Sequence, residues 1–261
     1  MPLSPHPAEW DRSRRRPGAG QNAWVSLLHW EGSDLAERSL RTWADIIRGE
    51  AQRHGALTTA DERRHRTHVL EGFSREQRTA FAAAAAEALM RSRQASCPAG
   101  DYALTWRPAL DAVWRGLEGD ASAFKQIASA LADFYRSPYF HNEGPDGPAE
   151  ADDNAAASVY YAAECFIHGC VEFALWAVER AIDEVSETIQ RDENPASDLR
   201  MIGPADAVRW ELDPRMQQEL RRQSDRLDHI AKHKADFWGS IAIRHALVTQ
   251  LREEGPPWMP T

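Results

Sequence analysis

From about residue 34 onward, apolar positions recur along this chain at intervals of three and four, the spacing of helices that turn one face to a core. Leu35, Leu40, Trp43, Ile46 and Ile47 stripe one side of a first helix beginning at Asp34, and Gly55 supplies its stop. Thr59 with Glu62, and Ser74 with Gln77, are spaced as capping boxes, in which a small side chain meets an orphan backbone N–H and its partner reaches back. They predict a charged helix and then an alanine-rich one through about Arg93. Beyond a loop at Pro98, Gly100 and Asp101, Thr105 precedes a helix with Pro108 in its first turn and Leu110, Val113, Trp114 and Leu117 facing inward. Asp120 caps the next, where Phe124, Ile127, Ala128, Leu131 and Tyr135 recur.

The strongest periodicity follows. Val159, Ala163, Phe166, Cys170, Ala174, Ala177, Ala181 and Val185 keep one phase, which predicts a long central helix over about 154–191. Asn194 and Pro195 end it, and a polar connector runs to Leu212. Asp213 before Pro214 opens another helix, with Leu220, Leu227 and Ile230, to about Lys234. A final one carries Phe237, Trp238, Ile241, Leu247, Val248 and Leu251 to the stop at Gly255. No alternating β-branched run with a hairpin turn appears, so the expected fold is all-α: a multi-helix bundle with a long central helix. The expected organisation is a disordered tail over 1–20, an N-terminal helical segment over 21–73, a bundle domain over 74–254 and a C-terminal tail over 255–261.

Composition narrows the function classes. Hydrophobic residues at 43% and charged ones at 27% are those of a folded chain. A net charge of −9 argues against nucleic acid, whose phosphates need clustered cations, and favours a basic partner. Nowhere do apolar residues run long enough to cross a membrane. Three cysteines, Cys97, Cys165 and Cys170, cannot all pair, which with the missing signal-peptide pattern predicts a cytoplasmic protein. The excess of Arg and Ala over Lys and Ile points to a bacterial source.

Candidate chemistry is sparse. Glu164, His168 and Glu172 stand four apart, where an imidazole between carboxylates would bind a metal or serve as a base. The plainer reading is a polar helix face, because the same line continues through Glu179, Asp183 and Glu187. His229 and His233, with Asp225 or Asp236 a turn away, can be paired in the same two ways. Cys165, His168 and Cys170 fall short of the four ligands of a structural zinc site, and the thiols read as small core residues. Nucleophile elbow, phosphate-binding loop and dinucleotide fingerprint are all missing, so no catalytic residue and no cofactor is assigned. The acids Glu143, Asp146, Glu150, Asp152 and Asp153 cluster beside Phe134, Tyr135, Tyr139 and Phe140. Asp153 or Asn154 can cap the following helix, and the remaining acids with the aromatics form a recognition surface for a basic partner.

Four segments in order carry a resemblance: RTAFAAAAAEALM from Arg78, ALDAVWRGLEGD from Ala109, DNAAASVYYAAECFIHGCVEFALWAVERAIDE from Asp153 and MQQELRRQSDRLDHI from Met216. Over about 74–254 the chain resembles two kinds of bacterial helical protein, the YjaG-type family and the helical immunity proteins paired with polymorphic toxins. Neither supplies a catalytic motif. The resemblance implies a non-enzymatic protein–protein interaction module that neutralises a toxin by binding it. The alternative is a metal-dependent helical enzyme using Glu164, His168 and Glu172 with His229 or His233.

Overall fold

The alanine-rich segment takes the middle of the molecule. The structure is a computed structural model that describes residues 34–96, 102–136, 150–193, 204–233 and 241–253. These residues form helices α1 (Asp34–Arg53), α2 (Thr59–Glu71), α3 (Arg75–Ser96), α4 (Tyr102–Glu118), α5 (Ala123–Arg136), α6 (Glu150–His168), α7 (Val171–Glu193), α8 (Pro204–Leu212), α9 (Pro214–Lys232) and α10 (Ile241–Glu253). The chain is an all-α multi-helix bundle. Both expected tails, and Phe237 and Trp238, lie outside the described residues.

Helix α3 is enclosed on every side, with Ala80, Phe81, Ala82, Ala83, Ala84, Ala85 and Ala86 all at 0% exposure. A helix apolar all round belongs inside a bundle, and alanine methyls let neighbouring axes approach closely. Helices α4, α6, α7, α9 and α10 all pack on it. The predicted box at its start is present: Ser74 N–H donates to Gln77 Oε1 at 2.9 Å, and Gln77 N–H to Ser74 Oγ at 3.3 Å.

The helix expected over about 154–191 is two helices. Gly169, at φ +70°, ends α6 in the left-handed conformation that suits glycine at a helix stop. Its carbonyl accepts from Arg78 Nη1 at 2.7 Å, which ties the turn to α3. The pair folds back antiparallel: Ser158 Oγ donates to the Ala177 carbonyl at 2.8 Å, and Tyr161 meets Trp176. The apolar phase runs unbroken through the turn because both helices present their stripe to the same α3. Periodicity reports which face is buried and is blind to a reversal of direction. Asn154 does not cap α6 either. It lies inside the helix, and its amide donates to Glu184 Oε2 at 3.3 Å and Glu187 Oε1 at 3.1 Å across the hairpin.

Three local expectations shift. The cap of α2 is Thr58, accepting from Asp61 N–H, while Thr59 instead donates N–H and hydroxyl to Glu211 of α8. Pro108 lies within α4, not in its first turn, because the helix starts at Tyr102. The polar connector before Leu212 contains α8, in which Ala207 and Trp210 are the buried apolar side chains among the described residues, too few to print a period. The predicted start at Asp213 and Pro214 is present, with the Asp213 side chain accepting from Arg215 N–H. Leu57 and Ile182 join Val185, Ile189, Trp210, Met216 and Leu220 in a second, smaller core. Among the described residues no helix is long and apolar enough to cross a membrane.

Candidate functional site, an aromatic face around a buried carboxylate

Reversing the chain at Gly169 brings residues far apart in sequence onto one surface. Phe134 and Tyr135 come from the last turn of α5, Tyr160 and Tyr161 from the middle of α6, and Phe173 and Trp176 from the start of α7. Their rings touch in series: Phe134–Tyr160 centroids are 4.8 Å apart, Tyr160–Tyr161 5.2 Å, Tyr161–Trp176 5.4 Å and Trp176–Phe173 5.5 Å. Trp106 of α4 backs Phe134 edge-on at 5.1 Å. Tyr135 and Trp176 keep 39% of their surface exposed.

Glu164 lies beneath this face, 4% exposed. Tyr135 donates its hydroxyl to Glu164 Oε1 at 2.5 Å, and His168 Nε2 stands 3.2 Å from Oε2. With the Tyr135 proton committed to the carboxylate, Tyr160 is left to donate to Tyr135 at 2.9 Å. Burial, with the nearby Glu164 carboxylate, pushes both phenols above their ordinary pKa. Both stay protonated at neutral pH. They serve as donors that hold rings in place, not as bases or nucleophiles.

The expected Glu164, His168 and Glu172 line is therefore broken. The first two meet, whereas Glu172 falls beyond the turn and is exposed. Nor does the line continue as a solvated stripe. Glu179 and Asp183 are mostly buried against neighbouring helices, and Arg63 Nε reaches Glu179 Oε1 at 2.9 Å. Arg66 of α2, 1% exposed, donates to Gln223 Oε1 at 2.8 Å in the same layer. His229 and His233 contact each other ring to ring at 5.2 Å on α9. Among the described residues no group of three or more His, Cys, Asp or Glu is placed to hold a metal. The Cys165 thiol is pushed up to about 12 by burial and is a core group, while Cys170 is exposed in the turn.

Of the expected partner surface, Tyr139, Phe140, Glu143 and Asp146 lie outside the described residues. Glu150, Asp152 and Asp153 form the backbone of the first turn of α6. The last turn of α5 lies beside Tyr160 at Tyr135, and α6 begins at Glu150, ten residues or about 15 Å before Tyr160 along the helix axis. Tyr161, Phe173 and Trp176 were not legible as part of a site, because on one continuous helix residues 161 and 176 would stand about 22 Å apart. Gly169 was the available signal. Comparison with protein-family models, with curated proteins and with solved structures finds no match to this chain.

Proposed function

We propose that this chain acts by binding another protein, without chemistry of its own, and that the aromatic face of α5, α6 and α7 is where it binds. One observation carries the reading: Tyr135, Tyr160, Tyr161, Phe173 and Trp176 form a contiguous surface, one end of which is fixed by the Tyr135 hydroxyl on a buried carboxylate with Tyr160 bonded to Tyr135. Tyrosine and tryptophan dominate interface hot spots because they offer large area with few torsions to freeze. The acids Glu143, Asp146, Glu150, Asp152 and Asp153 follow Tyr135 in the chain within eighteen residues, and their charge favours a basic partner. Neutralisation of a basic toxin, the function implied by the resemblance to helical immunity proteins, is the specific form of the proposal. A bacterial cytoplasmic setting belongs to it, supported by the free thiols of Cys165 and Cys170.

The test is affinity capture with the tagged full chain and with a Tyr161→Ala, Trp176→Ala double variant of equal thermal stability. The expected result is one basic partner held by the wild type, weakened at least about a hundredfold by the two truncations, about 2.7 kcal/mol and modest for a pair of aromatic hot spots. Growth arrest by that partner alone, relieved by co-expression of the wild type but not of the variant, supports the toxin form. A partner held equally by both proteins removes the aromatic face from the reading.

A further inference from the structure

At the α7 end of the aromatic face an indole and a carboxylate stand one turn apart. Glu172 and Trp176 are four residues apart on one helix, the spacing that puts two side chains on the same side. Helical side chains lean toward the helix N-terminus, so the Trp176 ring inclines over the turn that carries Glu172 and Phe173. Its 5.5 Å approach to the Phe173 ring agrees with that direction. Trp176 keeps 39% of its surface open, and Glu172 is exposed.

Phe173 meets the indole at 79° and Tyr161 meets it at 56°, so the three rings do not stack as a flat plate. A side chain laid against one of them borders another. Among the described residues no cation lies over Trp176 and no ion pair takes Glu172. His168, which borders Phe173 at 6.0 Å, is engaged by Glu164 at 3.2 Å. Elsewhere the fold fills such ring faces from within: Arg75 lies 5.3 Å over Phe166, and Arg252 lies 6.0 Å over Trp114.

A carboxylate in the first turn of a 23-residue helix also complements the backbone N–H groups there. That accounts for the acid, but not for an open indole one turn further on. An apolar partner side chain would cover the indole and leave Glu172 desolvated without a hydrogen bond. A cation satisfies both groups. Arginine fits better than lysine, because its planar guanidinium stacks on a ring and still aims N–H groups at a carboxylate beside it. We infer that Trp176 and Glu172 together take an arginine side chain of the partner, stacked on the indole and paired with the carboxylate. The inference rests on the reading of the aromatic face as the binding surface and names the side chain it recognises. The net charge of −9 draws a basic segment toward it.

The probes are three capped peptides of alternating glycine with arginine, with lysine or with citrulline, which keeps the shape of arginine without its charge. Each is titrated into the full chain at constant ionic strength, and binding is read from the NMR shifts of the Phe173 amide and the Trp176 indole N–H. The arginine peptide should saturate at low millimolar concentration, the lysine peptide should bind more weakly and the citrulline peptide should not bind. Glu172→Gln should weaken the arginine peptide at least about threefold, the loss of one exposed ion pair, and Glu172→Asp should restore part of it. Trp176→Leu keeps an apolar side chain but removes the ring face, and read at the Phe173 amide it should weaken binding by a similar factor of at least about threefold. Equal melting temperatures establish that the variants are folded. Citrulline or lysine bound as tightly as arginine, or an arginine peptide indifferent to Glu172→Gln, overturns the inference. Capture of the partner that needs Tyr161 and Trp176, with no arginine preference among the peptides, overturns the inference alone. Capture undiminished by loss of those two rings overturns the reading of the face and the inference with it.

Discussion

Glu87 and Glu211 are both buried carboxylates, at 2% and 5% exposure, held in opposite ways. Glu87, inside α3, receives both terminal nitrogens of Arg107 at 2.7 and 3.0 Å, the Trp114 indole N–H at 3.0 Å and Arg91 Nε at 3.2 Å. Its charge is matched, so Glu87→Ala strands Arg107. The expected loss is near the lower end of the roughly 3–5 kcal/mol typical of halving a buried pair, because Arg107 keeps Asp111 at 2.6 Å. Chemical denaturation measures it, and a loss under about 1 kcal/mol would place the pair among ordinary surface bridges. Glu211, among the described residues, accepts side-chain hydrogen bonds from the Thr59 hydroxyl and N–H alone, at 2.5 and 2.9 Å. Burial raises its pKa above the usual carboxylate value, and the Thr59 bonds offset that only in part. A raised folded-state pKa means that its stabilising share is full below the unfolded pKa and is lost as pH rises through the folded one. Glu211→Gln should therefore match the wild type in acid and exceed it in denaturation midpoint at pH near 7, where Gln can still accept from Thr59 N–H. An equal deficit at both pH values would contradict this.

At the level of elements, two glycines decide how α6 sits. Gly169 has φ +70°, and a Cβ there would lie 3.0 to 3.3 Å from the side chain of Arg75. Gly169→Ala meets left-handed strain of about 1–2 kcal/mol as well as that contact, and should lower stability by at least that much. Gly116 has no such strain, but an added Cβ would fall 2.4 Å from the Phe166 ring, between α4 and α6. Gly116→Ala should cost about 1–3 kcal/mol by overpacking and should displace Phe166 from its position under Arg75. Calorimetric melting of the two variants separates the effects: Phe166→Leu should relieve Gly116→Ala and leave Gly169→Ala untouched. The starts of α3 and α9 were legible because caps act through neighbouring residues, and that of α1 because its apolar period begins there. The α6–α7 reversal was not, since one glycine in an unbroken apolar phase carries no information about chain direction. The box at α2 slipped by one residue because threonines stand at both 58 and 59, and only the long-range bond to Glu211 decides which of them caps.

For the molecule as a whole, the bundle class followed from periodicity, but its centre did not. Alanine contributes little to an amphipathic pattern, so α3 reads as bland in sequence while its neighbours enclose it. The site was divided in the same way. Its acids and the pair Phe134 and Tyr135 stand close in the chain, whereas Tyr161 and Trp176 meet only through the hairpin. Such an architecture should not open uniformly. Helix α1 packs chiefly on α8, and α8 in turn rests on α9 and the small core around Trp210. Helices α3, α6 and α7 share the large core. Native-state hydrogen exchange should therefore find α1 and α8 exchanging through a local opening well below the global unfolding free energy. Amides at Ala82 to Ala86 and Val159 to Ala163 should exchange only with global unfolding. Equal protection of both groups would show a single cooperative unit. The aromatic face stands on α6 and α7, within the more protected group, so its rings are ordered before any partner arrives. A surface ordered in advance loses less entropy on binding. That is why stability and partner affinity should vary independently when α8 is loosened, for example by Trp210→Ala. This variant should lower the protection of α1 and α8 while leaving partner capture at its wild-type level.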